Sequence, residues 1–286
     1  MAVAAIFPRN RVTIVGVLNA TPDSFSDGGR FVHAGEQVDL DAAVDGAASL
    51  VRQGAHAIDV GGESTRPGAR EVPVDVEIQR TAPVIAALAK RIDVPISIDT
   101  RKADVAEAAL EAGARAINDV SGLRFDPGLA AVARRAGALL ILGHLRGTPE
   151  TMQDDPRYDD VLEEVAQELE GSVATAREAG LGDGQLAIDP GLGFGKRLEH
   201  DLALLANLGW LRRRLRLPLL VGPSRKSFLG ALTGDPVEAR DGATWAACAV
   251  AAFAGADAVR VHEPAGAARA VAVGRALRGA RRGGGS

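Results

Sequence analysis

The chain has 286 residues, 47 % of them hydrophobic, with 37 acidic against 33 basic side chains and a net charge of −4. That size builds a substantial core, and dispersed charge of this kind gives no basic face for nucleic acid. A single cysteine excludes an internal disulfide, no apolar run reaches the roughly 18 residues of a membrane span, and MAVAAIFPRN lacks a basic secretory start, so a cytoplasmic, reducing setting with no membrane partner is expected.

The predicted elements alternate along the chain. An apolar, β-branched run from Val12 ends in Asn19 and reads as a strand buried on both faces; the turn-rich TPDSFSDGG that follows reads as a loop displaying chemistry. A helix over 39–54 stops at Gly54, and a strand over 57–60 leads to the loop GGESTRPG. Helix 74–92 precedes strand 95–98, which runs into Asp99. Helix 102–113 leads to a strand at 116–117, then Asn118 and Asp119; helix 128–137 leads to strand 139–142, then His144 and Arg146. A long charged helix over 161–180 leads to strand 186–188, Asp189 and PGLGFGKR. Helix 198–215, strand 218–221 with GPSRK, helix 243–255, strand 258–261 with His262, and helix 265–280 complete the series. Residues 1–11 are expected as an N-terminal extension, 12–280 as one domain, and 281–286 as a disordered tail.

Eight strand–helix units demand a parallel sheet with right-handed crossovers, and eight fit a single closed (β/α)8 TIM barrel, with an open doubly wound sheet as the alternative. In a barrel the active site lies at the C-terminal ends of the strands. There the sequence places Asn19, Glu63, Thr65, Arg66, Asp99, Asn118, Asp119, His144, Arg146, Asp189, Ser224, Arg225, Lys226, Arg260 and His262.

These side chains divide by chemistry. Asp99, Asn118 and Asp189 can read the edge of a heterocycle by accepting from ring N–H and amino groups, or can simply cap strand ends. Arg66, Lys226, Arg260 and His262 suit a phosphate-bearing ligand, or for the arginines a rim salt bridge. Asn19 offers an oxygen to a hard ion such as Mg²⁺, or caps its loop. GLGFGKR fails both nucleotide-loop patterns: Pro190 takes the first glycine position of one and Arg197 its Ser/Thr position, and Lys196 replaces the last glycine of the other. His33, His56 and His200 read as solvated or core histidines, and Cys248, in an alanine-rich run, as a buried inert thiol.

Taken together, GVLNATPDSFSDGG, DVGGESTRPGA, SIDTRKADVA, INDVSG, HLRGTPETMQ, DPGLGFGK, GPSRKSFLG and RVHEP resemble, in order and over nearly the whole chain, the dihydropteroate synthase family. The resemblance implies a homodimeric (β/α)8 barrel that joins p-aminobenzoate to 6-hydroxymethyl-7,8-dihydropterin diphosphate with the help of Mg²⁺. By that resemblance Asp99, Asn118, Asp189 and Lys226 hold the pterin, with Phe194 and Gly222 lining its slot. Asn19, Arg66, Arg260 and His262 take the diphosphate, Asn19 also the metal. Thr65, Phe25, Pro67, Ser224, Arg225 and Ser227 shape the p-aminobenzoate pocket. Lys226, Asp99, Arg260 and His262 carry the catalytic roles. Loops 19–29 and 63–70 are expected to order over bound diphosphate.

Two departures from the family pattern stand out. Gly143 replaces the usual methionine before His144, which predicts a missing apolar wall refilled by Leu142 or Leu145, or a looser slot. Pro223 replaces a common small residue. Two rival readings accompany the resemblance: a non-catalytic pterin-binding paralogue, and a methyltransferase-like domain passing a methyl group from a methylated folate to a corrinoid.

Overall fold

The computed structural model describes residues 2–21 and 39–283. Among them, eight strands alternate with helices: α1 (Ala2–Ile6), β1 (Thr13–Asn19), α2 (Leu40–Arg52), β2 (Ala57–Gly61), α3 (Val74–Leu88), β3 (Ile96–Asp99), α4 (Ala103–Glu111), β4 (Ala116–Asp119), α5 (Gly128–Ala136), β5 (Leu139–Gly143), α6 (Val161–Glu178), β6 (Leu186–Asp189), α7 (Leu198–Ala206), α8 (Leu208–Leu215), β7 (Leu220–Val221), α9 (Ser227–Thr233), α10 (Asp241–Ala254), β8 (Ala258–Val261) and α11 (Pro264–Gly283). All pairings are parallel in the order β6-β5-β4-β3-β2-β1-β8-β7, and an Ile188–Leu219 bridge joins β6 to β7. The result is the expected (β/α)8 barrel rather than the open sheet. No described helix is long and apolar enough to cross a membrane.

The alternation of strand side chains explains why the strands read as unbroken apolar runs. Ile14, Leu18, Ile58, Val60, Ile98, Ile117, Leu140, Leu142, Ile188 and Val259 pack outward into the core shared with the helices. The opposite face holds Val15, Ala57, Ala116, Ile141, Ala187, Leu220 and Ala258 low in the barrel. Two residues on, the same face becomes polar, with Asp59, Asn118, Asp189 and Arg260 following Ala57, Ala116, Ala187 and Ala258; Asp99 and His262 lie at the same ends of β3 and β8.

Strands β2, β4, β6 and β8 each put an alanine on that lower inner face, and such small side chains leave the barrel axis unfilled. Ile6 and Phe7, 5 % and 4 % exposed, close it from below. Residues 1–11, expected as an extension, therefore supply part of the barrel core.

Three local differences have physical causes. The helix expected over 198–215 is two helices broken at Asn207, whose backbone leaves the helical region (φ −112°, ψ 18°) while its side-chain amide donates to the Ala203 carbonyl at 2.9 Å. Helix α9, not expected, starts directly after Lys226 and ends at Gly234 in the left-handed region (φ 78°). Helix α11 continues through Gly283, so residues 281–283 of the expected tail are helical.

The seam between β6 and β7 is lightly bonded. There the Ile188 N–H donates to the Pro218 carbonyl at 2.9 Å, while on the β8 side the Asp257 carboxylate accepts the Leu219 N–H at 3.0 Å. Arg212 holds that carboxylate by two bonds of 2.8 Å.

Candidate active site

A cleft of about 460 Å³ opens at the C-terminal ends of the strands. That volume suits a drug-sized ligand. Of the residues expected at the site, Asn19, Thr65, Arg66, Pro67, Asp99, Phe194, Gly222, Ser224, Arg225, Lys226, Ser227, Arg260 and His262 all line it. Asn118 and Asp189 stand behind this lining. Phe25 lies outside the described residues, as does most of loop 19–29.

Arg260, near the end of β8, is the centre of the floor. Its Nε donates to Asp59 Oδ2 at 2.6 Å and its Nη2 to Asp99 Oδ2 at 2.7 Å. Asp59 also accepts from Ser97 Oγ at 2.5 Å and from Asn118 Nδ2 at 3.1 Å. One buried carboxylate thus orients an arginine and an amide on two other strands, β8 and β4. Asn118 is turned inward by this contact, which is why it sits a layer below the cleft surface. Burial pushes Asp99 up to about 7; Arg260 opposes the shift and neighbouring Asp59 adds to it. The same two carboxylates hold the Arg260 proton more firmly than usual, against its own burial.

Lys226 ends the segment after β7, and its Nζ sits 3.5 Å from the centroid of the Phe194 ring. That cation–π stack fixes the ammonium in the cleft. Burial lowers Lys226 to about 8, with Asp189 drawing it back. Asp189 uses one oxygen, Oδ1, to accept the Gly191 N–H at 2.7 Å.

His262, read from the sequence as suited to a phosphate-bearing ligand, lines the cleft, but burial first, then the charges of Arg260, Arg225, Arg66 and Lys226, lower it to about 3. It is a neutral imidazole. Ser224 Oγ accepts the His262 backbone N–H at 3.1 Å and shares a second hydrogen bond with its Nδ1, 2.9 Å away, which fixes the orientation of the ring. Arg225 is likewise committed: Nε and Nη2 bind both oxygens of Asp241 at 2.8 and 2.9 Å, and its backbone stands at φ 56°. It shapes the cleft wall as a fixed strut.

Glu63 lines the cleft but is bound from behind. It pairs with Arg101, accepts from Lys102 Nζ at 2.5 Å, and takes the Val72 N–H at 2.9 Å. Lys102 Nζ also donates to the Val72 carbonyl (2.5 Å) and Glu77 (2.7 Å). The base of the loop bearing Thr65, Arg66 and Pro67 is thereby tied down. His144 and Arg146, expected at the rim, face away: both bind Glu168 on α6. His56 and His200 take local roles, accepting the N–H groups of Ile14 and Arg197 at 3.1 Å each. Cys248 is fully buried, its thiol pushed up to about 12.

The site lacks the opening that Gly143 predicts. A Cβ built on Gly143 would lie 2.6 Å from Val120 Cα and 2.8 and 2.9 Å from the carbonyl oxygens of Val120 and Asp119. The backbone after β4 occupies the space itself. Leu142 packs outward into the helix-facing core and does not refill it.

Asp59 is the functional candidate that the sequence pattern misses. It lies inside the run AIDVG, read as apolar. An ionisable side chain in the middle of a buried strand is the available signal, because such a group must be paired.

Residues 15–262 match the family model described as "Pterin binding enzyme". The dihydropteroate synthase of Synechocystis is 47% identical over 88% of this chain and 86% of its own length; that of Escherichia coli K12 is 44% identical over 87% and 86%. The solved dihydropteroate synthase of Yersinia pestis in a sulfonamide drug complex superposes with a TM-score of 0.88 at 41% identity, covering 94% of this chain and 95% of the other. That of Xanthomonas albilineans with 4-aminobenzoic acid gives 0.85 at 41% identity and 94% coverage of each.

Proposed function

The chain belongs to the dihydropteroate synthase family of pterin-binding enzymes, and we propose how its cleft divides the work of that family's reaction. It is a transferase of folate synthesis, condensing 6-hydroxymethyl-7,8-dihydropterin diphosphate with p-aminobenzoate to give 7,8-dihydropteroate and diphosphate. The C–O bond to diphosphate breaks, its electron pair leaving with the oxygen. The exocyclic carbon left behind, stabilised by the electron-rich pterin, takes the lone pair of the arylamine, whose proton then departs to water. The amine is already nucleophilic, so the enzyme needs charge placement more than a strong base.

The observation that carries the assignment is the meeting of Asp99, Arg260, Lys226 and Phe194 in one cleft. Asp99 accepts from the pterin edge, with Asn118 and Asp189 beside it, while Lys226 and Phe194 bound the ring with Gly222. Arg66 and Arg260 neutralise the departing diphosphate, with the neutral His262 imidazole beside them. Thr65, Pro67, Ser224, Arg225 and Ser227 form the wall toward p-aminobenzoate; Phe25 is proposed for the same wall from the resemblance alone.

Mg²⁺ fits the oxygen donors. Asn19, at the end of β1, lines the cleft and offers its amide oxygen there. That oxygen with phosphate oxygens and water would suit this ion, which when bound would add positive charge on the leaving group. A cytoplasmic setting is proposed on the single, buried, free thiol.

The test is product formation from both substrates with Mg²⁺, following dihydropteroate and diphosphate together. Release that requires p-aminobenzoate and stops with a chelator is the expected result. Tight pterin binding without product identifies the binding-only paralogue, and methyl transfer to a corrinoid identifies the other rival.

We also propose a homodimer through α10 and α11. Val250, Val273 and Leu277 are 45 to 57% exposed, Val273 and Leu277 one turn apart, and Arg281 a turn further on lies over Phe253. Sedimentation of the wild type is expected to give twice the chain mass, and Leu277→Asp the monomer. A monomeric wild type defeats this proposal.

A further inference from the structure

The glycine-rich turn over 190–196 carries Phe194 into the cleft, but its backbone plays no part in the chemistry above, and it is built inside out for a phosphate loop. Its amides point into the protein. Gly191 N–H donates to Asp189 Oδ1 and Gly193 N–H to Asp201 Oδ1, each at 2.7 Å, and Phe194 N–H to the Gly191 carbonyl at 3.1 Å. A phosphate loop aims such groups at its ligand. Here the carbonyls gather around a side chain of the turn itself.

Lys196 is 4 % exposed. Its Nζ donates to the carbonyls of Gly191 and Phe194 and to Nδ1 of His144, all at 2.9 Å. Three acceptors at 2.9 Å, with the His144 carbonyl at 3.5 Å beyond them, match the three N–H bonds of an ammonium, whereas a neutral amine has two; these contacts oppose the burial that lowers Lys196 to about 7. His144 therefore accepts at Nδ1 and gives its Nε2 proton to Glu168 Oε2, 3.0 Å away. The backbone wraps this closely because Gly191, Gly193 and Gly195 all adopt left-handed φ, at 67°, 74° and 58°. From outside, Gln153 donates to the Gly193 carbonyl and Tyr158 to that of Gly195, each at 3.0 Å.

The turn carries Phe194, and the Phe194 ring is the platform under the Lys226 ammonium. A continuous chain of contacts thus runs from the Lys196 ammonium to the Phe194 carbonyl, to its ring, to Lys226 in the cleft.

We propose that Lys196 is a positioning residue of the pterin site: wrapped inside the glycine turn, its ammonium fixes Phe194 and through it sets Lys226 against the pterin. This deepens the pterin reading of the cleft and rests on it. Lys196 touches no substrate.

The test separates the two substrates. Lys196→Ala removes the three donors and leaves room for a small cation; Lys196→Met fills the space without donors. Both are expected to raise KM for the pterin diphosphate by about tenfold or more, the scale of a lost charge-assisted hydrogen bond. KM for p-aminobenzoate is expected to change less than about twofold, since the chain of contacts ends on the Lys226 ammonium, while the neighbouring Arg225 is held separately by Asp241. Methylammonium is expected to restore pterin KM in Lys196→Ala, but not in Lys196→Met, and potassium at equal ionic strength to restore neither. Equal rises in both KM values, unchanged pterin KM, or failure of methylammonium to rescue the alanine variant overturns the proposal. Should Lys196→Ala not fold, Lys196→Gln, which keeps two N–H donors, is expected to show the same pterin-selective rise, and an even rise or none is the overturning result. A wild-type chain that forms no dihydropteroate overturns the pterin reading itself, before any variant is compared.

Discussion

Asp59→Ala is expected to lower kcat/KM for dihydropteroate formation by about 10²-fold, although Asp59 lines no part of the open cleft. The residue is 1% exposed and accepts from Arg260, Asn118 and Ser97. Removing it leaves the half-buried Arg260 guanidinium with one carboxylate in place of two and frees the Asn118 amide to turn. Breaking one side of a buried ion pair costs roughly 3–5 kcal/mol of stability, because the remaining charge stays desolvated. Urea unfolding read beside initial rates separates the two effects. Asp59→Asn keeps the volume but loses the charge, and is expected to fall between wild type and alanine. Wild-type rates in Asp59→Ala would show that Arg260 needs only Asp99.

The second large effect is expected at Lys226. Lys226→Ala removes the cation stacked on Phe194, and kcat/KM for the pterin diphosphate is expected to fall by about 10²- to 10³-fold, the scale of one preorganised charge contact in a site of this kind. The ionisation adds a signature. Burial lowers the free-enzyme Lys226 to about 8, so its charge is present below that pH and lost above it. Since kcat/KM reports the ionisations of free enzyme, it is expected to decline as pH rises through about 8. Lys226→Arg does not titrate in that range, so whatever activity it retains should lose this alkaline limb. An unchanged limb in Lys226→Arg would assign the ionisation to another group.

The residues behind these two predictions were not equally visible in the sequence. Lys226 sits just past a strand in a polar segment, GPSRK, and strand ends are where a barrel shows its chemistry. Asp59 sits two residues earlier than the strand end, where the outward Ile58 and Val60 on either side make the segment look apolar. The alternation that would betray it is masked because the outer face of every strand is also apolar, and the lower inner face is alanine. For the same reason the fold was legible from the repeat of strand and helix, while the role of Ile6 and Phe7 was not: only the assembled ring shows an axis that four alanines leave open.

Contacts that depend on distant partners were also hidden. The two-bond grip of Asp241 on Arg225, and the bond of Ser224 to His262, span 16 and 38 residues of sequence. They turn Arg225 into a strut and hold the His262 ring in place. Gly143 shows the opposite case. Read alone it marks a lost side chain; in the fold it marks backbone that has come close enough to make a side chain impossible.

The lightly bonded seam between β6 and β7 has a mechanical consequence. A hoop deforms most easily at its weakest joint, and here that joint is the one bridge between Ile188 and Leu219. Asp189 stands on one side of it, Gly222 and Lys226 on the other, so the two halves of the pterin floor belong to two ends of a loosely fastened ring. A rigid flat ligand touching both ends would act as the hoop's clasp, and the compliance of the barrel is concentrated at the place where its substrate sits.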